Sequence, residues 1–322
     1  DASATAIYGA RGANGVVFVT TKKAKAGKTK VSYDMYYGSK RVPAFLTVLS
    51  PYDYTILQYE RSLGDATRMN AFISNYGPFD TLKGLYSGRT GISWQEEVFG
   101  GNANSQYHKV GISGGSKETQ FNLFYSHNND EGIMLNSGAR KNVVKLSLNH
   151  KASEKMTLTA SANYTHQNIF GVGTSEGNTY FNQLQNILTY RPTFGIKGSD
   201  DALVDLEMDP ALESVSGNTL QNPVINAISQ TRQNLNKTLV LNGTLSYLLL
   251  KNITYRGTVG YRTTNIENSV FNDARSMLAK RNNGPLGSIL NNERNGWNYS
   301  NTVNYANSFN DKHKLDVLIG QE

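Results

Sequence analysis

The sequence predicts an all-β protein, a transmembrane antiparallel up-and-down β-barrel. Three observations carry that prediction. Nine separate segments alternate apolar and polar residues with a period of two, the signature of strands with two different faces. Several of these segments run for ten or more residues, against a usual five or six in soluble sheets. The connections between them alternate strictly between short and long. A strand that crosses a bilayer at a tilt needs about 9–11 residues. One of its faces must be apolar for lipid, and the other is free to be polar if it lines a wet lumen.

Each segment shows the pattern in turn. Val31, Tyr33, Met35 and Tyr37 open it, followed by His108, Val110 and Ile112. Phe121, Leu123 and Tyr125 form the third segment, and Val144, Leu146 and Leu148 the fourth. In the fifth, Met156, Leu158, Ala160, Ala162 and Tyr164 alternate with Thr157, Thr159, Ser161, Asn163 and Thr165. Leu239, Leu241, Gly243, Leu245, Tyr247 and Leu249 face away from Thr238, Val240, Asn242, Thr244 and Ser246. Ile253, Tyr255, Gly257, Val259 and Tyr261 alternate with Thr254, Arg256, Thr258, Gly260 and Arg262. Trp297, Tyr299, Val303 and Tyr305 make the eighth segment, and His313, Leu315, Val317 and Ile319 the ninth. Short connections fall at 114–117, 152–155, 250–252 and 310–312, long ones at 42–105, 129–140, 168–236 and 265–296. A barrel with tight periplasmic turns at one end and outside loops at the other gives this alternation. It places 152–155, 250–252 and 310–312 in the periplasm and 178–190 and 268–290 outside. Tyr37, Tyr164, Tyr261, Trp297 and Tyr299 sit near strand ends, where interfacial girdles keep a ring buried and its polar tip wet.

Composition excludes other classes. Of 322 residues, 38% are apolar and only 18% charged, with 36 Asn in place of much of the usual charge. Aromatics at 10% and abundant β-branched residues rule out a disordered chain. No 18-residue apolar window exists, which rules out a membrane-spanning helix. Cysteine is absent, so there are no disulfides, thiolate metal sites or Cys nucleophile. The net charge of +7 is scattered along the chain, its densest run being five Lys within 22–30, so no nucleic-acid partner is expected. The five His show no metal-binding spacing, and no G-x-S-x-G elbow is present. Asp200, Asp201 and Asp205 lack the order of a calcium loop. The expectation is therefore no enzyme, no metal and no cofactor.

The first 30 residues differ from the rest. A small, helix-compatible start leads into the turn-rich run Gly9, Ala10, Arg11, Gly12, Ala13, Asn14, Gly15, which opens the short apolar strand Val16 to Thr21. The G-x-x-G-x-x-G spacing is not a dinucleotide loop, because those follow a strand and open a helix. Here the order is reversed.

Residues 1–23 resemble the end of the plug domain in TonB-dependent outer-membrane receptors, and the run from Ala4 to Val16 resembles the SusC/RagA branch in particular. Trp94 to Phe99 is similar to that branch's segment before the second barrel strand. Ile112 to Ser116 is similar to its first periplasmic hairpin, and Asp130 to Ile133 to its following outer loop. The resemblance implies that residues 1–28 are the C-terminal end of a plug and 29–322 the first part of a 22-stranded barrel, wide enough to need a plug. It implies structural and gating roles for Tyr8, Gly9, Arg11, Gly12, Asn14 and Gly15. It further implies a Gram-negative outer-membrane location among outer-membrane lipid, with a SusD-like lipoprotein as lid. TonB would couple through a segment not in this sequence, and the cargo would be a glycan, oligosaccharide or peptide. A passive porin or a surface adhesin on the same barrel is the alternative. Both ends of the chain read as interior positions of a longer protein, and residues 1–322 alone are expected not to form a stable unit.

Ligand and lid contacts belong on the outer loops. Residues 178–192 carry Tyr180, Phe181, Leu184, Ile187, Leu188 and Tyr190 at a spacing that predicts a short amphipathic helix, and 51–63 predicts another. Trp94, Tyr180, Phe181 and Tyr190 are the candidate substrate or lid contacts. Two readings stay open for them: an aromatic platform, or packing of loops over the barrel mouth.

Overall fold

The computed structural model describes residues 26–172, 183–196, 222–276, 278–279, 282–309 and 313–322. Nine strands pair in chain order, each antiparallel to the next. They are β1 (Gly27–Lys40), β2 (Ala103–Gly115), β3 (Thr119–Glu131), β4 (Gly138–Lys151), β5 (Met156–Phe170), β6 (Gln230–Leu250), β7 (Ile253–Asn272), β8 (Leu286–Phe309) and β9 (His313–Gln321). The sheet is open: β1 and β9 each have one neighbour.

The register carries the alternation from strand to strand. Along one line perpendicular to the strands run Val31, Ile112, Leu123, Leu146, Ala162, Leu241, Tyr261 and Trp297. Because side chains alternate along each strand, this match puts every apolar set on one face. That face is not a core. Val31 is 71% exposed and Trp297 73%, and the large buried side chains lie elsewhere. An exposed apolar belt of this extent has lipid as its solvent. The opposite face is polar: Thr157 pairs with Ser246, Thr159 with Thr244, and Ser147 with Ser161.

The belt ends in a polar-tipped girdle. The Tyr33 hydroxyl meets His108 Nδ1 at 2.7 Å, and the Tyr37 hydroxyl donates to Asn104 Oδ1 at 2.8 Å. The Tyr125 hydroxyl donates to Asn142 Oδ1 at 2.8 Å. Trp297 and Tyr299 stack with centroids 5.8 Å apart. Past this girdle the outward-facing set turns polar, with His166 and Asn168 on β5, Asn265 and Glu267 on β7, and Asn295 and Glu293 on β8. The hydrogen-bonded ladder continues regardless. β6, β7 and β8 run for 21, 20 and 24 residues, about twice what a bilayer needs.

This corrects the loop boundaries expected from sequence. Residues 268–272 and 286–290 are strand, so the last long connection shrinks to 273–285. The connection expected at 168–236 is likewise 171–229, and that at 42–105 is 41–102. The cause is chemical: outside the bilayer both faces of a strand are polar, and the two-residue signal disappears while the backbone pairing persists.

The short ends are tight turns. Gly115, at φ 137, lies against the Thr119 carbonyl, and any side chain there would meet it. Ser116 Oγ accepts from the Glu118 and Thr119 amides at 3.1 Å each and donates to Glu118 Oε2 at 2.7 Å. The Ser116 hydroxyl, then Glu118's own amide, hold that carboxyl below the usual carboxylate range. Among the described residues the α-helices lie at the other end: α1 (Pro51–Ser62), α2 (Ala66–Tyr76), α3 (Leu82–Tyr86), α4 (Trp94–Phe99), α5 (Gln183–Thr189) and α6 (Pro223–Ser229). The helices expected at 51–63 and within 178–192 are both present, the second starting at Gln183.

Candidate functional site

The long connections do not hang separately; they build a cap. Local chemistry sets three of the helix starts. Ser50 Oγ accepts from the Asp53 amide, with Pro51 at the first helical position. Asp65 accepts from the Thr67 and Arg68 amides at 2.9 and 3.1 Å. Asn222 caps α6 in the same way, again followed by Pro. These caps satisfy orphan donors that the first turn cannot pair internally.

The first connection folds α1, α2 and α3 around an aromatic cluster. Tyr54, Phe72, Tyr76, Leu82 and Tyr86 are all buried there. Their rings meet edge-on or tilted, Tyr54 to Tyr76 at 6.3 Å and Phe72 to Tyr76 at 5.5 Å, geometries that the ring quadrupoles favour. The Tyr86 hydroxyl donates to the Tyr76 carbonyl at 3.0 Å.

A second cluster draws on three different connections. Trp94 and Val98 come from the first, Met134 from the second, and Val172, Ile187, Tyr190, Phe194, Val224 and Ala227 from the third. Trp94 is its hub. Its ring stands edge-on to Tyr190 at 5.1 Å and to Phe194 at 6.2 Å, and its Nε1 donates to the Arg191 carbonyl at 2.8 Å. Backbone bonds fasten the same junction: the Leu135 amide to the Val98 carbonyl, and the Ile92 amide to the Pro192 carbonyl. The Arg191 guanidinium covers the Phe194 ring at 4.2 Å. Gly171, at φ 104, lies flat on Ser137, where a Cβ would stand 2.5 Å from the Ser137 Cβ. Only glycine lets the third connection pass the second that closely.

The fourth connection joins through the Asp273 amide, which donates to the Ser229 carbonyl at 2.9 Å. Burial alone would raise the Asp273 carboxyl, but hydrogen bonds from Arg275 outweigh it and hold the group below its ordinary value.

Between the two clusters lies a cleft of about 660 Å³. One wall is the extended strap from Leu46 to Leu49, and another is α1 through Tyr54, Leu57 and Arg61. The floor is Trp94, Gln95, Leu188 and Tyr190. The Gln95 amide pins the strap from both sides: its Nε2 donates to the Leu46 carbonyl at 2.8 Å, and its Oε1 accepts from the Leu46 amide at 3.0 Å. The lining mixes aliphatic, aromatic and amide groups with one guanidinium. It offers binding and no chemistry. Among the described residues no three His, Asp or Glu side chains cluster as metal ligands.

Two of the four candidate contacts, Trp94 and Tyr190, are brought together here. Each is nearly covered, at 3% and 4% exposure, so neither offers an open ring face for stacking. Both pack in the second cluster and line the cleft. Tyr180 and Phe181 lie outside the described residues, as do Tyr8, Gly9, Arg11, Gly12, Asn14 and Gly15. Sequence reading missed the strap, Gln95 and Arg61. Only the run of apolar residues Phe45, Leu46, Val48 and Leu49 inside a connection hinted at a wall.

Comparison with known proteins adds to this geometry. No family model matches the chain. It is 25% identical over 324 residues to TonB-dependent receptor P26 of Formosa agariphila, covering 99% of the chain and 30% of that protein. It is 33% identical over 150 residues to TonB-dependent receptor SusC of Bacteroides thetaiotaomicron, covering 46% of the chain and 13% of that protein. Among solved structures, it superposes on one chain of the RagAB peptide transporter with a TM-score of 0.72 at 20% identity, covering 99% of this chain and 37% of that one. The chain thus spans roughly a third or less of the relatives it matches.

Proposed function

We propose, from the premise that the chain is a SusC-like stretch of a TonB-dependent receptor, that it supplies the first nine strands and much of the outer cap of an energy-coupled nutrient importer in the outer membrane. The cargo class is glycan, oligosaccharide or peptide. The observation that carries the reading is the joint cap. Three connections share one core around Trp94 at the loop end of a lipid-facing sheet. A passive pore has no need of a built vestibule of that kind. The cap and its cleft are proposed as the docking ground for a SusD-like lipoprotein and the first stop for cargo, with Trp94 and Tyr190 as its frame.

Residues 1–28 are proposed as the end of the plug and 29–322 as barrel, which fits a first strand beginning at Gly27. In this reading Tyr8, Gly9, Arg11, Gly12, Asn14 and Gly15 carry the structural and gating role of the plug motif. The work done on cargo is transport, without a covalent step.

Two readouts on the full-length receptor test this. In planar bilayers it should stay closed to ions, because a plug fills the lumen, and it should bind the periplasmic domain of TonB. A constitutively open conductance supports the passive porin instead. A closed receptor without affinity for TonB supports the adhesin.

A further inference from the structure

The basic residues look scattered in sequence, but the register gathers them. Lys145 on β4 and Arg262 on β7 lie on one line perpendicular to the strands, through Asn163 and Val240. Lys109 on β2 and Arg294 on β8 lie on the next line, through Ser126, Val143, Thr165, Thr238 and Thr264. Lys141 lies on the line after that, with Tyr107 and Tyr36. Two steps of two residues separate the first line from the third, about 14 Å along the strands. All five cations belong to the polar, lumen-facing set. Between the first and second lines the outward set includes Tyr125, Val144, Tyr164 and Leu239 and carries no charge; between the second and third it carries Lys237 and Glu293. Phosphate groups of the surrounding lipid therefore do not explain them, since they point the other way.

Among the described residues acidic partners are scarce. Lys109 meets Asp34 at 3.7 Å, and among the described residues no ion pair reaches Lys141, Lys145, Arg262 or Arg294. Aromatic faces share the band. Tyr36 and Tyr107 stack at 5.3 Å and 16°, with Tyr36 54% exposed, and the Lys109 ammonium lies over Phe124 at 5.4 Å.

We propose that this band is a lumenal binding site for an anionic oligosaccharide, one bearing carboxylate or sulfate groups. The inference rests on the transport reading and narrows its cargo class. Cations on a low-dielectric wall concentrate counter-ions in the lumen, and rings of Lys and Arg select anions in pores. The open face of Tyr36 suits the flat, partly apolar face of a sugar ring, and the cations take its acidic substituents. A polar lumen wall tolerates such charge, because lumen positions tune selectivity while lipid-facing ones set stability.

Equilibrium binding to the purified full-length receptor tests it with three probes: a hexamer of galacturonate, maltohexaose and a hexaglutamate peptide. The galacturonate hexamer should bind about tenfold more tightly than maltohexaose at low salt, a preference that high salt erases. The double variant Lys145→Gln with Arg262→Gln should lose that preference and leave maltohexaose unchanged. Exchanging the two cations, Lys145→Arg with Arg262→Lys, should keep it. Equal binding of the acidic and neutral sugars overturns the proposal, and so does tighter binding of the peptide. Loss of heat-modifiable gel mobility in the Gln variant, with the exchanged variant intact, overturns it too, because the cations then hold the fold. Binding does not need energy coupling. A receptor that prefers the acidic sugar but ignores TonB fails the transport reading alone, and one that binds TonB but prefers no sugar fails this inference alone.

Discussion

Leu146→Arg should destabilise the full-length receptor in lipid by about 2–4 kcal/mol, the measured range for a cation on a barrel's lipid face at mid-depth. Leu146 is the middle of the three apolar residues that β4 presents outward, between Val144 and Leu148. Its register partners are Leu123 and Ala162, so no polar group nearby can take the guanidinium. Ser147→Arg, one residue on, should cost far less. Ser147 pairs with Asn122 and Ser161 on the wet face, where the new side chain keeps its hydration. Leu158→Arg should fall between them, because its partner His150 marks the end of the belt. Urea titration of the receptor refolded into vesicles reads all three. Equal losses at Leu146 and Ser147 would mean that the two faces are wrongly assigned.

Trp94→Ala should open the cap and leave the barrel folded. Truncating a buried Trp costs about 3–5 kcal/mol, and here it also removes the Nε1 bond to the Arg191 carbonyl. The cap is held by two small clusters and a few loop–loop backbone bonds, with no sheet of its own. A loss of that size exceeds what such a unit holds in reserve, so local opening follows without global unfolding. Protease added to intact cells should then cut within 183–229 far faster than in the parent, while heat-modifiable mobility stays unchanged. Leu63→Ala, at an exposed position in the same connection, serves as the control and should change neither readout. Unchanged protection in Trp94→Ala would show that the three connections stand independently.

How far the sequence foretold this structure depends on the solvent of each part. All nine segments singled out by alternation are strands, since lipid on one side and water on the other force a two-residue contrast such as Met156 to Tyr164 against Thr157 to Thr165. The contrast ends where lipid ends, so the outer reaches of β7 and β8, past Thr263 and Asn295, carry no two-residue signal and read as loop. In the cap, α1 is legible from its apolar spacing, whereas the sequence reading gives neither α2 nor α6. The site was harder still. Trp94 meets Arg191 across 97 positions, and a contact of that range is set by strand order and not by local pattern. The lumenal cations show the same limit. Lys109 and Arg294 are 185 positions apart in sequence and share one line only through seven paired strands.

One face of the sheet meets lipid and the other a wet lumen. A nitroxide scan along β5 of the full-length receptor in vesicles, one label at a time from 156 to 164, tests that most directly. Collision with oxygen, which dissolves in lipid, should be high at Met156, Leu158, Ala160, Ala162 and Tyr164 and low at the four positions between, with a water-soluble nickel chelate never preferring the first set. Accessibility without a two-residue period, or with the period inverted, would contradict the assignment of the faces and with it the barrel.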